Sequence, residues 1–310
     1  MSPRQMRHVS KQRSTILFVV LGLILIVFGL NIPCSAGGLQ ILRDDVRADP
    51  PEPDDEPSDR SHHRHKKRDK WDDYCDDEYD DPVEQFFADV EMGFAITKFC
   101  IKAASSPLWL PRQEVGDDGS IRGFFSRYPY QNHGSGQMMF EEFTSTPRNW
   151  SARFRSDYST DCDDLSRIGG RLLLSTSSRW GIDTEMNYLQ ERLPADRWDH
   201  LWMGDCNVVY RFAQSERSQW RVGVGFNWLD DPVQTDYGFN LTYGFDFFPC
   251  KPLVFSSEID WGTLGSAGAF HFRTTAGVLI KDLETFIGYE YRDIGSFQFN
   301  GLIAGLQVWF

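Results

Sequence analysis

Residues 236–247 read DYGFNLTYGFDF, and every second one is large and apolar: Tyr237, Phe239, Leu241, Tyr243, Phe245 and Phe247. Between them stand Asp236, Gly238, Asn240, Thr242, Gly244 and Asp246. A period of two segregates these sets onto opposite faces of a β-strand, and no helix can do so. Two environments satisfy such a strand. In one, the apolar face meets a protein core and the polar face meets water. In the other, the apolar face meets lipid and the polar face lines a barrel.

The pattern recurs. Ten segments from residue 149 onward carry strand character: 150–158, 168–176, 180–188, 202–212, 220–228, 236–247, 253–261, 270–280, 283–291 and 302–310. Tight turns are expected at 177–178, 214–218, 249–252 and 281–282, and longer polar loops at 159–166, 189–200, 229–235, 262–269 and 292–298. Short turns at one rim and longer loops at the other describe an antiparallel up-and-down transmembrane barrel. An even strand count brings both ends of the domain out at the short-turn rim.

The polar face selects between the two environments. It carries Arg153, Arg155, Arg171, Arg179, Arg211, Arg221, Arg273 and Arg292 against Asp157, Asp183, Glu185, Asp205, Asp246, Glu258, Asp260, Glu284 and Glu290. Lysine is absent from it. A water-facing sheet uses lysine freely, whereas arginine nearly matched by acids suits a packed interior of guanidinium–carboxylate pairs. We therefore expect these residues to line the lumen as a network. His271, on the same face, is expected to be a hydrogen-bonded member of it. The alternative is the solvated face of a soluble sandwich.

The N-terminal half reads differently. Arg4, Arg7, Lys11 and Arg13 precede an apolar run at 16–30 and then Cys34-Ser35-Ala36, which together read as an export signal over residues 1–36, cleaved or retained as an anchor. Residues 37–82 read as a disordered charged linker. Within the chain's formal net charge of −13, residues 41–82 hold 16 acidic and 8 basic side chains, so the acidity is concentrated there. The lack of a basic surface argues against a nucleic-acid partner. His62, His63 and His65 offer at most loose metal binding. Residues 83–148 comprise an apolar helix at 83–104, with Phe87, Val90 and Phe94 on its wide apolar face, and an irregular lead-in. The helix is expected to dock at the short-turn rim.

The alternating segments, the aromatic strand ends and the closing residues 301–310, GLIAGLQVWF, resemble small bacterial outer-membrane β-barrel proteins of about ten strands. The resemblance covers residues 149–310, about half the chain, and is architectural. It implies an outer-membrane location, contact with outer-membrane lipid, and recognition by the barrel-assembly machinery of the last strand through Phe310 and the alternating Leu302, Leu306 and Val308. Function would then be structural, or that of a narrow pore with a filled lumen passing at most a small solute. Two alternatives come from other classes: a soluble periplasmic β-domain on an N-terminal anchor, and a rim-sited hydrolase. Barrel proteases of the omptin type use acidic pairs with an Asp/His pair at the rim, and this chain has Asp161, Asp163, Asp164 and Asp199-His200 there. Adjacent Asp199 and His200 would point to opposite faces. No GxSxG, P-loop, HExxH or dinucleotide motif occurs, so no catalytic residue, cofactor or metal is expected. Among the six cysteines, Cys75 and Cys100 are the pair that export would allow to bridge.

Overall fold

The computed structural model describes residues 37–48, 105–120, 122–131, 136–140, 148–161 and 164–310. The expected signal, the linker beyond residue 48 and the expected apolar helix at 83–104 lie outside these residues. In chain order the elements are α1 (Gly38–Val46), a helix α2 (residues 105–115), β1 (Phe124–Phe125), β2 (Met138–Met139) and ten long strands. The long strands are β3 (Trp150–Thr160), β4 (Leu165–Thr176), β5 (Trp180–Leu193), β6 (Arg197–Gln214), β7 (Ser218–Asp230), β8 (Thr235–Phe247), β9 (Leu253–Leu264), β10 (Ala267–Ile280), β11 (Leu283–Ile294) and β12 (Phe297–Trp309). Each pairs antiparallel with its sequence neighbours, and β12 returns to β3, with Val308 opposite Phe154 and Leu302 opposite Thr160. The barrel is closed, so none of these ten strands presents an unpaired edge.

The strands match the ten alternating segments, but their ends differ from expectation. The loops foreseen at 159–166, 189–200, 229–235, 262–269 and 292–298 shrink to 161–164, 194–196, 231–234, 265–266 and 295–296. Both rims therefore have short connections, and the expected contrast in loop length is absent. The cause lies in the inward residues near the far rim. There the polar lining gives way to Leu165, Leu189, Leu201, Leu229, Leu264, Ile294 and Phe297, all buried. The backbone ladder runs on where the polar-in, apolar-out alternation stops. We call the rim that holds the start of β3 and the end of β12 proximal, and the other rim distal.

Burial along the strands is inverted relative to a soluble domain. In β3, Phe154 and Tyr158 are exposed while Arg153, Arg155 and Asp157 are buried. Trp261 is 66% exposed and Ile287 69%, against 1% for Arg273 and 0% for Glu290. Ile182, Val208, Val224 and Leu241 stand side by side across β5 to β8 and form an aliphatic row on the outside. Aromatic pairs lie above and below it: Trp180 with Tyr210 at 5.0 Å toward the proximal rim, and Tyr188 with Trp202 at 4.9 Å toward the distal rim. An apolar band between aromatic girdles is the outer surface of a barrel surrounded by lipid. The strands suffice for it: β5 has 14 residues, and about 9–11 tilted residues cross a bilayer. Among the described residues no helix is long and apolar enough to cross.

Placing a charge in the aliphatic row should be costly, whereas the same charge at the exposed distal connection should not. Leu241→Arg is expected to destabilise the folded barrel by about 2–4 kcal/mol, and Val233→Arg by less than about 0.5 kcal/mol. Urea unfolding from lipid vesicles measures both. Asn240, next to Leu241, is fully buried in the lumen, so the inward face has no room for an arginine either.

Candidate functional site

The interior is a ladder of guanidinium and carboxylate groups, placed there because alternate residues of each strand share a face. It starts near the proximal rim. Arg153 of β3 grips both oxygens of Asp246 (2.8 and 3.0 Å), and Arg221 of β7 reaches Asp246 at 2.7 Å and Glu258 at 3.0 Å. Arg171 joins Glu258 to Asp183, with Nε 2.7 Å from Asp183. Arg273 joins Glu258 (2.8 Å) to Glu185 (2.6 Å). Arg292 then links Glu185 to Glu290 at 3.5 and 3.2 Å. Toward the distal rim, Glu290 also pairs with Arg167 at 2.6 Å and with His271 Nε2 at 3.0 Å, and His271 Nδ1 lies 2.8 Å from Asp260. Arg167 reaches Asp157 and Asn187 as well.

Most of the residues singled out from sequence thus lie in one connected chain, but five stand apart, among them Arg179, which pairs with Asp117. Asp205 accepts a hydrogen bond from Asn207 (2.7 Å). Glu284 accepts from Gln307 and from the Trp309 indole, both at 2.9 Å. Arg211 follows a register shift in β6, turns to Gln214 (2.7 Å) and lies over the Phe125 ring. Arg155 ion-pairs with no carboxylate among the described residues and stacks over Phe286 at 4.4 Å. Arg167 was missed because it precedes the expected start of its strand at 168. Its spacing of four from Arg171 keeps it on the same face, a signal that an earlier strand start would have used.

Three carboxylate and imidazole groups meet in this ladder with metal-like proximity. Ligand atoms of Glu185, His271 and Glu290 lie within 4.8 Å of one another. Arg273 and Arg292 bind Glu185, and Arg167 and Arg292 bind Glu290. A cation entering there would face three guanidinium groups, so these acids act as ion-pair partners and not as a metal ligand set.

Both mouths are covered. At the distal rim, α1 occupies residues that the sequence assigned to an unordered linker. That expectation fails over 38–46 because Leu39, Leu42 and Val46 recur at helical spacing, and all three bury against the leucine ring inside the rim. Each such burial contributes about 1.5–3 kcal/mol. The N–H groups of Gly37, Gly38 and Leu39 donate to the Glu191 carboxylate at 2.7–3.0 Å, which caps the helix from another element. Arg43 binds Asp199 (2.6 and 2.8 Å) and Asp231 (2.8 Å), and Arg47 binds Asp231 (3.0 Å) and Asp236 (2.9 Å). The helix C-terminus sits against two turns. Ser266 donates to the Val46 carbonyl, and Ser296 to the Asp45 carboxylate. Gly265 there has φ +57°, and a Cβ on it would lie 2.1 Å from the Val46 oxygen, so only glycine lets the helix approach this closely.

At the proximal rim the cover is formed by the described residues 117–120, 122–131 and 136–140. Asp117 receives both Arg179 nitrogens at 2.8 Å and the N–H of Gln214 at 2.8 Å. Tyr130 donates to the Leu253 carbonyl at 2.6 Å and packs with Phe248, Val254, Leu279 and Trp309. Three voids between lumen side chains measure about 10–20 Å³ each, room for one or two water molecules.

Of the rim groups read from sequence as a possible catalytic set, Asp199 and His200 turn to different partners. Asp199 is engaged by Arg43, while the His200 ring is exposed and stacks near Tyr188 at 5.9 Å.

No family model matches the chain, and no curated protein matches it. Solved structures of outer-membrane proteins resemble parts of it. A loop-L8 deletion mutant of OmpT, an outer membrane protein of Vibrio cholerae, aligns at 8% identity and TM-score 0.28, over 50% of this chain and 62% of that one. CdiB from Acinetobacter baumannii aligns at 11% identity and TM-score 0.27, over 48% of this chain and 39% of that one. A KdgM porin in complex with disordered oligogalacturonate aligns at 12% identity and TM-score 0.23, over 51% of this chain and 98% of that one. The chain spans less than two thirds of the length of the first two. The ten-stranded closure is seen directly in this chain's own hydrogen-bond ladder.

Docking of α1 is linked to pH through Asp231, which lies outside the strands. Burial pushes its carboxyl up, but hydrogen bonds from Arg47 and from the N–H groups of Gln234 and Val233 outweigh that and hold it well below the ordinary value of 3.8. A depressed folded value stabilises the docked helix above the ordinary value, and the contribution is lost as pH falls below it. Pepsin should leave Leu39 and Leu42 intact at pH 5 and cut there increasingly as pH drops below about 4. Asp231→Asn should show cutting already at pH 5.

Proposed function

We propose that this chain is an outer-membrane β-barrel that serves as a sealed structural element of that membrane and not as an open pore. One observation carries the reading: the lumen is filled along most of its length by paired buried charges, with α1 over the apolar distal mouth and the described residues of 117–140 over the proximal one. A conducting channel needs a continuous water path, and the voids at these ion pairs hold one or two waters each. The lipid-facing band, the export signal expected at 1–36 and the aromatic end of β12 support placement in an outer membrane. There Phe310 would serve recognition by the barrel-assembly machinery, and outer-membrane lipid would surround the aliphatic row. The engagement of Asp199 by Arg43 weighs against the hydrolase alternative, and the exposed apolar band against a soluble β-domain.

Planar-bilayer recording of the purified full chain tests this. Small, rare openings are expected, and they should stay small after deletion of residues 37–48, because the charge ladder remains. Large steady steps from the intact chain would refute the sealed barrel, and large steps appearing only after the deletion would make α1 a gate.

A further inference from the structure

One gap in the charge ladder has a specific chemistry. Arg153 and Arg155 lie two residues apart on β3 and so share the inner face. The register sets Arg155 directly opposite Arg171 on β4 and opposite Gln307 on β12. Like charges directly opposite on neighbouring strands repel. Arg171 answers with Asp183 and Glu258, and Arg153 with Asp246. Arg155 has no such answer. Its Nε makes a 3.3 Å hydrogen bond to the Gln307 side-chain oxygen, and its face covers Phe286. It is nevertheless only 4% exposed. Arg273, 1% exposed, places one nitrogen on Glu185 and Glu258 and leaves Nε and Nη1 without a partner. These groups surround a void of about 10 Å³ lined by Arg153, Arg155, Arg171, Arg221 and Arg273, with Glu258 its one acid. The Thr275 side chain borders the same void.

A buried guanidinium without a counter-charge costs several kcal/mol. Water filling the void would satisfy hydrogen bonds but put no counter-charge in contact with Arg155, whose nearest acids, Asp157 and Glu284, act on it only from beyond ion-pair distance. We propose that this void is a binding site for one small monovalent anion of halide size, held by Arg155 and Arg273 and completing the ion-pair ladder. The volume favours a single-atom anion over phosphate or sulfate, because about 10 Å³ is space for roughly one water-sized body. The anion would enter as an integral part of the sealed interior and would stabilise the folded state by mass action. The inference rests on the filled lumen and not on the absence of conductance. A result against the site therefore leaves the bilayer experiment unaffected.

The test uses the full chain in detergent and compares sodium bromide with sodium gluconate at equal ionic strength and pH. The loss of the compact, heat-sensitive gel form gives the unfolding midpoint. The midpoint should rise with bromide and saturate, while Arg155→Gln should give the same midpoint in both salts. Because that variant removes an unpaired buried charge, it should fold at least as well as the parent in gluconate. Crystals soaked in bromide should show an anomalous peak within hydrogen-bonding distance of the Arg155 guanidinium. Equal midpoints for the parent chain in the two salts, an undiminished bromide response in Arg155→Gln, or no peak in the void would each overturn the site.

Discussion

Glu258 accepts from three guanidinium groups, those of Arg171, Arg221 and Arg273. Nothing else in the barrel is as demanding. A carboxylate stripped of water is very unfavourable unless charged donors replace the water, and each donor must in turn meet a second acid. Asp246, Asp183 and Glu185 fill that role on either side, so one buried acid commits side chains from many strands to fixed positions. Arginine suits this because its planar fork can serve two carboxylates at once, which a lysine ammonium does less well. The arrangement also locks register. A slip of one residue would turn Arg171 or Glu258 outward into the apolar band and bring a Leu or Ile inward.

A polar interior has to end somewhere, and the two rims solve this in different ways. At the distal rim the lining changes to leucine and phenylalanine, which makes an apolar seat. Its occupant, α1, is short, and its own first turn lacks a side-chain cap. Isolated helices of such length are marginal in water. The barrel supplies what the helix lacks: Glu191 for its exposed N–H groups, a leucine ring for its apolar stripe, and Asp231 for two arginines one turn apart. At the proximal rim no helix of the described residues sits in the mouth. The Asp117–Arg179 pair and the Tyr130 cluster hold an irregular segment in place through one buried carboxylate and one buried ring.

Much of this was legible in the sequence, for a physical reason. Wherever a strand has lipid on one side and paired charges on the other, its two faces differ in residue type, and stretches such as 236–247 declare it. That reading placed all ten strands. It stopped at the distal rim, where Leu189, Leu201 and Leu229 turn inward and both faces mix apolar and polar residues. The same loss of contrast hid Arg167. The α1 segment was misread because acids and prolines just beyond it dominate the local composition, while its Leu39–Leu42–Val46 stripe occupies few positions. The isolation of Arg155 was out of reach, since it depends on which strands neighbour β3 and in what register.

Everything in this arrangement depends on the apolar face of these strands meeting lipid. Nitroxide labels placed one at a time at 239, 241 and 243, with a reference label at 233, read this directly in the chain reconstituted into vesicles. Collision rates with dissolved oxygen should be high and with a water-soluble nickel chelate low at 239, 241 and 243, and the label at Val233 should show the reverse. Labels at 239, 241 and 243 that meet the nickel chelate as freely as the one at 233 would place that face in water and contradict the account.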